Sequence, residues 1–155
     1  MYKSQADAVK EWLKAYRANE DRIDTQLERL RMLRERMMSV GAQRLSDMPR
    51  PPSSPKDAMT DYVIQVESLE ASIQRDVEIQ DLCKKTIVGM VEELKKPEEK
   101  VIITDRYLYG MEWNDVLYDL SKQSPKEAKN LESLRRKMYR VHEDALQKIA
   151  KGWGK

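Results

Sequence analysis

Apolar side chains recur at seven-residue intervals through the first forty positions of the chain, along two neighbouring lines. The first line is Val9, Tyr16, Ile23, Leu30 and Met37, and the second is Trp12, Asn19, Gln26, Leu33 and Val40. Seven residues are close to two turns of an α-helix, so each line stays on one face. The pattern therefore predicts a long amphipathic helix over about residues 4–40, with Leu13 and Leu27 widening its apolar stripe.

The same spacing returns after a proline-rich segment, again with polar residues in a mainly apolar stripe. Its main line is Met59, Val66, Ile73, Gln80, Ile87 and Leu94, and its companion line is Tyr62, Leu69, Asp76, Cys83 and Met90. The segment between the two patterns, residues 41–55, holds four of the six prolines. Proline lacks an N–H donor and interrupts helices, so this segment is predicted to be a loop. A second helix is expected over about residues 55–95.

Two long helices with one apolar stripe each must bury those stripes. The loop lets them fold back on each other, which predicts an antiparallel helical hairpin over residues 1–95. Polar residues in such a seam set register or oligomeric state at some cost in stability. The polar seam residues here are Asn19, Gln26, Asp76 and Gln80. A hairpin of only two helices leaves apolar flanks uncovered, so we expect a homo-oligomer, in the simplest case a dimer.

The last third of the chain, residues 96–155, predicts a second domain of three shorter helices. Pro97 and the two glutamates after it favour a helix start, because proline fits the first turn and acids favour the positive end of the helix dipole. Gly110 is expected to end that helix, and residues 111–120 predict another. The third helix has an apolar face made of Leu131, Leu134, Met138, Val141, Ala145 and Ile149. It begins either near Lys126 or after an inserted turn.

Composition agrees with an all-α fold, and the charge distribution singles out the last region. The 155 residues include 5 glycines and no phenylalanine, which disfavours sandwiches and barrels. The formal net charge is only +2, but residues 121–155 carry ten basic and four acidic side chains, against 19 and 23 in the first 120. A basic end on an acidic chain favours a polyanionic partner, although a solvated charged helix has the same composition.

The residues around Gly110 resemble a known DNA-binding motif. The run Arg106-Tyr107-Leu108-Tyr109-Gly110-Met111-Glu112-Trp113-Asn114-Asp115-Val116 is similar to the helix-turn-helix in region 4 of sigma factors. More closely, the chain resembles small phage late-transcription regulators of the ArpU/RinA type, whose recognition helix is matched here by Tyr139, Arg140, His142, Ala145 and Leu146. The relatives join their last two helices by a tight turn containing glycine. Residues 121–130 instead form a connection about ten residues longer.

This resemblance implies a fold, a function and a set of contacts. The fold is a sigma-region-4-like helix-turn-helix domain over residues 96–155, following the hairpin. The function is that of a phage transcriptional regulator of late genes that binds double-stranded DNA in the host cytoplasm, with host RNA polymerase as a further partner. The side chains expected to contact phosphates and base edges are Arg135, Arg136, Lys137, Tyr139, Arg140, Lys126 and Lys129.

Other chemistry finds little support in the sequence. One histidine and one cysteine are too few for a zinc site, so we expect His142 to pack or to bond between helices, and Cys83 to be a small buried residue. Trp113 and Tyr107 are expected to belong to the core. Because no catalytic or phosphate-binding motif is present, neither an enzyme, a cofactor nor a metal is predicted. No apolar segment reaches the roughly 20 residues that a membrane span needs, and a single cysteine fits a reducing cytoplasm.

Two other functions remain open at this stage. A small terminase-like DNA-packaging subunit also combines helix-turn-helix domains with long oligomerising helices, but it assembles as a ring. A coiled-coil adaptor that lacks DNA binding would have the same hairpin. Oligomeric state separates the first alternative from the regulator, and DNA affinity at low salt separates the second.

Overall fold

The computed structural model describes residues 4–44 and 55–153, and all regular structure in these residues is helical. The five α-helices are α1 (Gln5–Arg44), α2 (Pro55–Glu93), α3 (Pro97–Ile103), α4 (Trp113–Gln123) and α5 (Leu131–Gly152). A π-helical turn over Thr104–Leu108 follows α3, and a 3-10 turn over Glu127–Lys129 precedes α5. The predicted all-α class is confirmed. No helix of the described part is both long and apolar enough to cross a membrane.

The helix bounds differ from the predicted ones in ways that local chemistry explains. α1 continues through Gly41, where the loop was expected to begin, because a lone glycine weakens a helix without ending it. The rest of that loop, residues 45–54, lies outside the described residues. The last helix begins at Leu131 and not near Lys126, because the Asn130 side chain accepts a hydrogen bond from the Ser133 N–H and caps the helix there.

Packing divides the chain into two compact units: residues 19–80, and residues 1–18 together with 81–155. This division falls elsewhere than the sequence-based domain boundary at residue 95. The reason is that the start of α1 and the end of α2 share a core with the C-terminal helices.

In the unit of residues 19–80, α1 and α2 pair through a small apolar cluster and through polar contacts on either side of it. Leu30 and Leu33 of α1 pack with Val66 and Ile73 of α2. The polar contacts are Arg34–Glu70 at 2.8 Å, Arg22–Asp76 at 3.5 Å and Gln80–Glu20 at 3.0 Å. As the residue number rises on one helix, the partner's number falls on the other, so the two segments run antiparallel.

The polar residues predicted for the seam lie in this unit and reach different degrees of burial. Gln80 is only 4% exposed, and its Nε2 donates to the Glu20 carboxylate. Asp76 is half-buried and pairs with Arg22. Asn19 and Gln26 are half-buried too, and the Gln26 Oε1 atom accepts no hydrogen bond from the described residues.

The other unit contains two apolar clusters that together fix the C-terminal helices. The first cluster joins both long helices to the π turn and α5, and its members are Ala6, Val9, Leu13, Tyr16, Ile87, Val91, Leu94, Ile103, Tyr107, Ala145, Leu146, Ile149 and Ala150. Cys83 packs against this cluster while remaining half-buried, so it is less enclosed than expected. The second cluster joins α3, α4 and α5 through Ile102, Val116, Leu117, Leu120, Leu134, Met138 and Val141. Leu131 was expected on the apolar face of α5, but it is 55% exposed.

Gly110 ends the helical run that begins at Pro97, as predicted. Its φ of +67° is a left-handed conformation that L side chains rarely adopt. A Cβ at this position would also lie 3.0 Å from the Arg17 guanidinium, whose Nη1 donates to the Leu108 carbonyl at 2.9 Å. The backbone angle therefore requires glycine between the π turn and α4, and a side chain there would also displace the Arg17 guanidinium.

Candidate nucleic-acid interface

The four basic residues predicted to bind DNA, at positions 135, 136, 137 and 140 of α5, point in different directions around the helix axis and do not form one row. The buried face of α5 includes Leu134, Met138 and Val141, as its apolar spacing predicts. At 100° per residue, Arg136 and Arg140 point away from this face, whereas Arg135 and Lys137 flank it on opposite sides. The predicted cluster therefore separates into three groups with different surroundings.

Arg136 and Arg140 form the outward group. The Arg136 side chain is 82% exposed, and its closest ion-pair partner is Glu132 of the preceding turn at 3.8 Å. Arg140 is exposed and enters no ion pair with any described residue. Exposed ion pairs of this kind contribute little to stability, so both guanidinium groups remain available to an external anion.

Arg135 and Tyr139 lie beside the N-terminal end of α4. The Arg135 Nη2 atom donates to the Asn114 Oδ1 atom at 3.0 Å. The Tyr139 ring packs edge-on against Trp113, with 5.2 Å between ring centroids, yet 40% of the residue stays exposed. These two side chains thus link α5 to α4 and still have surface that reaches solvent.

Lys137 is held by two carboxylates and is half-buried. Its Nζ atom lies 3.1 Å from a Glu98 oxygen of α3 and 2.7 Å from a Glu127 oxygen of the 3-10 turn. Hydrogen bonding to Glu127, with a further contribution from Glu98, raises the pKa of Lys137 above its usual value. The side chain joins three elements and is 27% exposed.

The inserted connection contributes the remaining cations. Lys126 precedes the 3-10 turn, Lys129 is its last residue, and both are exposed. A cleft of about 420 Å³ lies between this turn and the first turns of α5. It is lined by Lys126, Glu127, Lys129, Asn130, Ser133, Leu134, Arg136, Lys137 and Arg140. Its one acid, Glu127, is already bonded to Lys137, which leaves the cleft strongly cationic.

Three of the residues that carry the sigma-factor resemblance, Arg106, Tyr107 and Trp113, have contacts inside the protein. The Arg106 guanidinium lies 4.6 Å from the centre of the Trp113 ring, and its Nη1 donates to the Met111 carbonyl at 2.9 Å. The Trp113 ring also meets His142 edge-on at 4.9 Å. Trp113 is half-buried, so its expected place in the core is confirmed only in part.

His142 and Tyr107 form a buried pair between α5 and the π turn. The Tyr107 hydroxyl lies 2.8 Å from the His142 Nε2 atom, and both residues are almost fully buried. This confirms that the histidine bonds between helices. Burial, and then the positive charges of Lys10 and Arg106, lowers the pKa of His142 to about 4. Burial raises the pKa of Tyr107 to about 12. Both groups are therefore neutral near pH 7.

Sequence reasoning missed two buried acids near this site. Glu99 is fully buried and forms an ion pair with Lys148 of α5, while its second oxygen accepts nothing from the described residues. Asp105 is 7% exposed; burial, and then the neighbouring carboxyl of Asp119, raises its pKa to about 7. Neither residue differs in sequence pattern from the many exposed acids, so only the packing of the π turn and α3 reveals them.

No group of three or more histidine, cysteine or acidic side chains suited to a metal ion occurs among residues 4–44 and 55–153. Comparison with protein-family models, with curated proteins and with solved structures finds no match for this chain.

Proposed function

We propose that this protein is a DNA-binding transcriptional regulator whose α5 helix lies in the major groove of duplex DNA. The observation that carries the proposal is the cationic cleft between the 3-10 turn and α5. Four exposed cations, Lys126, Lys129, Arg136 and Arg140, line it without a strong internal partner. Phosphate oxygens are the commonest ligands of such side chains in protein–DNA complexes, and arginine also reads guanine edges.

The arrangement of α4 and α5 supports a helix-turn-helix as the reading unit. In this proposal α4 is the supporting helix, residues 124–130 are the connection, and α5 is the recognition helix. The second apolar cluster fixes α4 against α5, and the bond between Arg135 and Asn114 adds a polar contact at the same interface. A rigid support of this kind is what a recognition helix needs in order to present side chains in a defined register.

Within this function the basic residues have different roles. Arg136, Arg140, Lys126 and Lys129 contact phosphates, and Arg135 and Tyr139 reach the DNA beside α4. Lys137 is a positioning residue, because its two carboxylate partners hold the 3-10 turn against α3 and α5. If Lys137 bound a phosphate, its partners Glu98 and Glu127 would lose their cation. We therefore expect Lys137 to act mainly by holding the 3-10 turn, which places Lys126 and Lys129.

The proposal has two further parts, self-association through the long helices and a role in phage gene expression. We infer that α1 and α2 form a hairpin that mediates self-association, which would place two α5 helices on one DNA site. The sequence resemblance to ArpU/RinA-type proteins is the reason for proposing late phage genes as the target and host RNA polymerase as a further partner.

The test removes the two outward arginines and measures binding to labelled, mixed-sequence duplex DNA by fluorescence anisotropy. We expect Arg136→Ala/Arg140→Ala to weaken binding at low salt by at least tenfold. The slope of log affinity against log salt should fall by about two, since each phosphate contact contributes about 0.9. The matched control is Lys84→Ala/Lys151→Ala, which removes the same charge from exposed positions outside the cleft.

Two outcomes decide the proposal. If the control variant loses as much affinity as the cleft variant, binding reflects net charge alone and the assigned interface is wrong. If neither variant nor the unaltered protein binds duplex DNA at low salt, the protein is not a DNA-binding regulator. Circular dichroism should show the same helicity for both variants, because all four substituted residues are exposed.

A further inference from the structure

A second cleft, which we call the helix-end cleft, lies where α2 and α5 end, within the unit that contains residues 81–155. Its volume of about 370 Å³ falls within the roughly 300–1,000 Å³ range of small-molecule sites. Its apolar lining consists of Met90 and Leu94 at the end of α2 and of Ile149 and Trp153 at the end of α5. Leu94 and Ile149 are buried, whereas Met90 and Trp153 are half-buried and leave apolar surface for a ligand.

Three charged side chains line the same cleft: Glu93, Lys95 and Lys148. Lys148 is fixed there by an ion pair with the fully buried Glu99. Glu93 and Lys95 are exposed, and neither forms an ion pair within residues 4–44 and 55–153. With Glu99 included, two cations and two carboxylates balance at this site. A ligand with a net charge would leave one charge without a counterpart in a partly buried place, which costs free energy.

Both long-range partners reach the cleft with their C-terminal ends, since the last residue of α2 and the last residue of α5 line it. The two ends have the same geometry. The Leu94 N–H donates to the Val91 carbonyl at 3.0 Å, and the Trp153 N–H donates to the Ala150 carbonyl at 3.1 Å. The other carbonyls of a last turn lack intrahelical donors and carry partial negative charge. Two such ends at one cleft favour a cationic group in its ligand.

We propose that the helix-end cleft binds a free α-amino acid with an apolar or aromatic side chain. Its carboxylate pairs with Lys95 and Lys148, and its ammonium group lies beside Glu93 and the two helix ends. Its side chain packs on Met90 and Trp153. An α-amino acid is zwitterionic near pH 7, so it matches both the separate charges of the site and their balance. This inference does not rest on DNA binding or on self-association.

Gly152 offers a direct way to fill the cleft, which it lines. A Cβ atom added there would have no neighbour within 4 Å, and its φ lies outside the left-handed region. A larger apolar side chain at this position therefore meets neither a clash nor backbone strain. Gly152→Leu should occupy space in the cleft while leaving α5 folded.

Isothermal titration calorimetry on the full chain tests the ligand class. The probes are L-phenylalanine and L-leucine. Three comparison compounds each lack one feature: N-acetyl-L-phenylalanine has no ammonium group, phenethylamine has no carboxylate, and glycine has no apolar side chain. We expect both probes to bind, and each comparison compound to bind at least tenfold more weakly, because it loses one of the three contacts.

Variants then assign each contact to its residue. Glu93→Gln should weaken L-phenylalanine binding at least fivefold without weakening that of N-acetyl-L-phenylalanine. Lys95→Ala should weaken L-phenylalanine binding by a similar factor without weakening that of phenethylamine. Gly152→Leu should abolish the binding of both probes, with unchanged helicity in circular dichroism. The matched control is Lys151→Ala, which removes a charge from the last turn of α5 at an exposed position outside the cleft lining and should bind L-phenylalanine as the unaltered protein does.

Three results would each overturn the inference. If neither probe binds at concentrations up to about 10 mM, the cleft is not an amino-acid site. If N-acetyl-L-phenylalanine or phenethylamine binds as tightly as L-phenylalanine, the zwitterion is not what the site recognises. If Lys151→Ala weakens binding as much as Lys95→Ala, or if the folded Gly152→Leu variant binds normally, the ligand lies elsewhere. Each of these results leaves the DNA-binding proposal as it stands, because the cationic residues of its cleft are not altered.

Discussion

Two segments of the C-terminal region carry the sequence signals for DNA binding, and the structure uses them differently. In the segment of residues 106–116, Arg106, Tyr107 and Trp113 direct their polar or aromatic groups inward, to a carbonyl, a histidine and one another. In the segment of residues 135–140, two of the basic side chains, Arg136 and Arg140, point to solvent. The first segment builds a support, and the second leaves charge available for a partner.

This contrast shows what the resemblance to sigma factors can and cannot indicate. The residues that match the motif are the ones whose internal contacts fix α4, so the motif describes a scaffold. In the proposed function, DNA is bound by side chains outside the motif, on α5 and on the inserted connection. We therefore expect changes at Arg106, Tyr107 and Trp113 to affect stability, and changes at Arg136 and Arg140 to affect affinity.

The largest expected loss of stability follows from removing Trp113. Its ring contacts Arg106, Tyr139 and His142, so truncation leaves a cavity where the π turn, α4 and α5 meet. We expect Trp113→Ala to lower the free energy of unfolding by about 3 kcal/mol, the lower end of the range for large aromatic truncations in cores, because Trp113 is half-buried. Urea denaturation followed by circular dichroism measures it.

The control for Trp113 is another aromatic residue of the same helix. Tyr118 is 61% exposed and contacts the Lys122 side chain, so Tyr118→Ala should cost well under 1 kcal/mol. Similar losses in the two variants would contradict the structural role assigned to residues 106–116. If Trp113→Ala abolished DNA binding without changing stability, the ring would be a contact residue and the contrast between the segments would fail.

A smaller effect is expected from acidification, through the buried His142. Its pKa is about 4 in the folded protein and near 6.5 when unfolded, so the unfolded state binds the proton more readily. The contribution of the neutral imidazole is complete above pH 6.5 and is lost as the pH falls toward 4. We expect this group alone to lower the free energy of unfolding by about 2–3 kcal/mol over that interval. Thermal melts at several pH values measure it.

His142→Gln separates this effect from the titration of other groups. Glutamine can still hydrogen-bond the Tyr107 hydroxyl but does not take up a proton near neutral pH. The variant should be somewhat less stable at pH 7 and should lose much less stability between pH 6.5 and 4 than the unaltered protein. Parallel stability curves for the two proteins would show that His142 does not titrate as its burial requires.

The sequence predicts most of the helices and less of the site, for a physical reason. The spacing of apolar residues indicates which face of a helix is apolar. The approximate bounds of α1 and α2 and the buried face of α5 can therefore be predicted from the sequence. The spacing does not indicate which polar groups meet across elements. In the sequence, Lys137 is one of four equivalent basic residues. Only the structure shows that the 3-10 turn places Glu127 beside it. In the sequence, Asp105 resembles the many exposed acids, whereas in the structure it is buried in the π turn.

The last expected effect concerns Asp105, and its pH dependence is opposite to that of His142. The folded pKa of about 7 lies above the unfolded value near 4, so the folded state binds the proton more readily. The stability that protonated Asp105 provides is therefore present at low pH and is lost as the pH rises through 7. Asp105→Asn removes this loss, and we expect it to raise Tm at pH 8, by up to the roughly 4 kcal/mol that linkage assigns to a shift of about three pKa units.

The pH at which Asp105→Asn acts is the discriminating observation. At pH 4 Asp105 is protonated in the folded protein, so the variant and the unaltered protein should melt at nearly the same temperature. Asp115→Asn, at an exposed position of α4, is the control and should change Tm little at either pH. A gain of equal size at pH 4 and pH 8 would mean that the amide improves packing and that no buried charge is relieved. Loss of stability at pH 8 would mean that the Asp105 carboxylate is satisfied in the folded protein. In that case the acid belongs with the inward-bonded residues of the supporting segment and is not a source of strain within it.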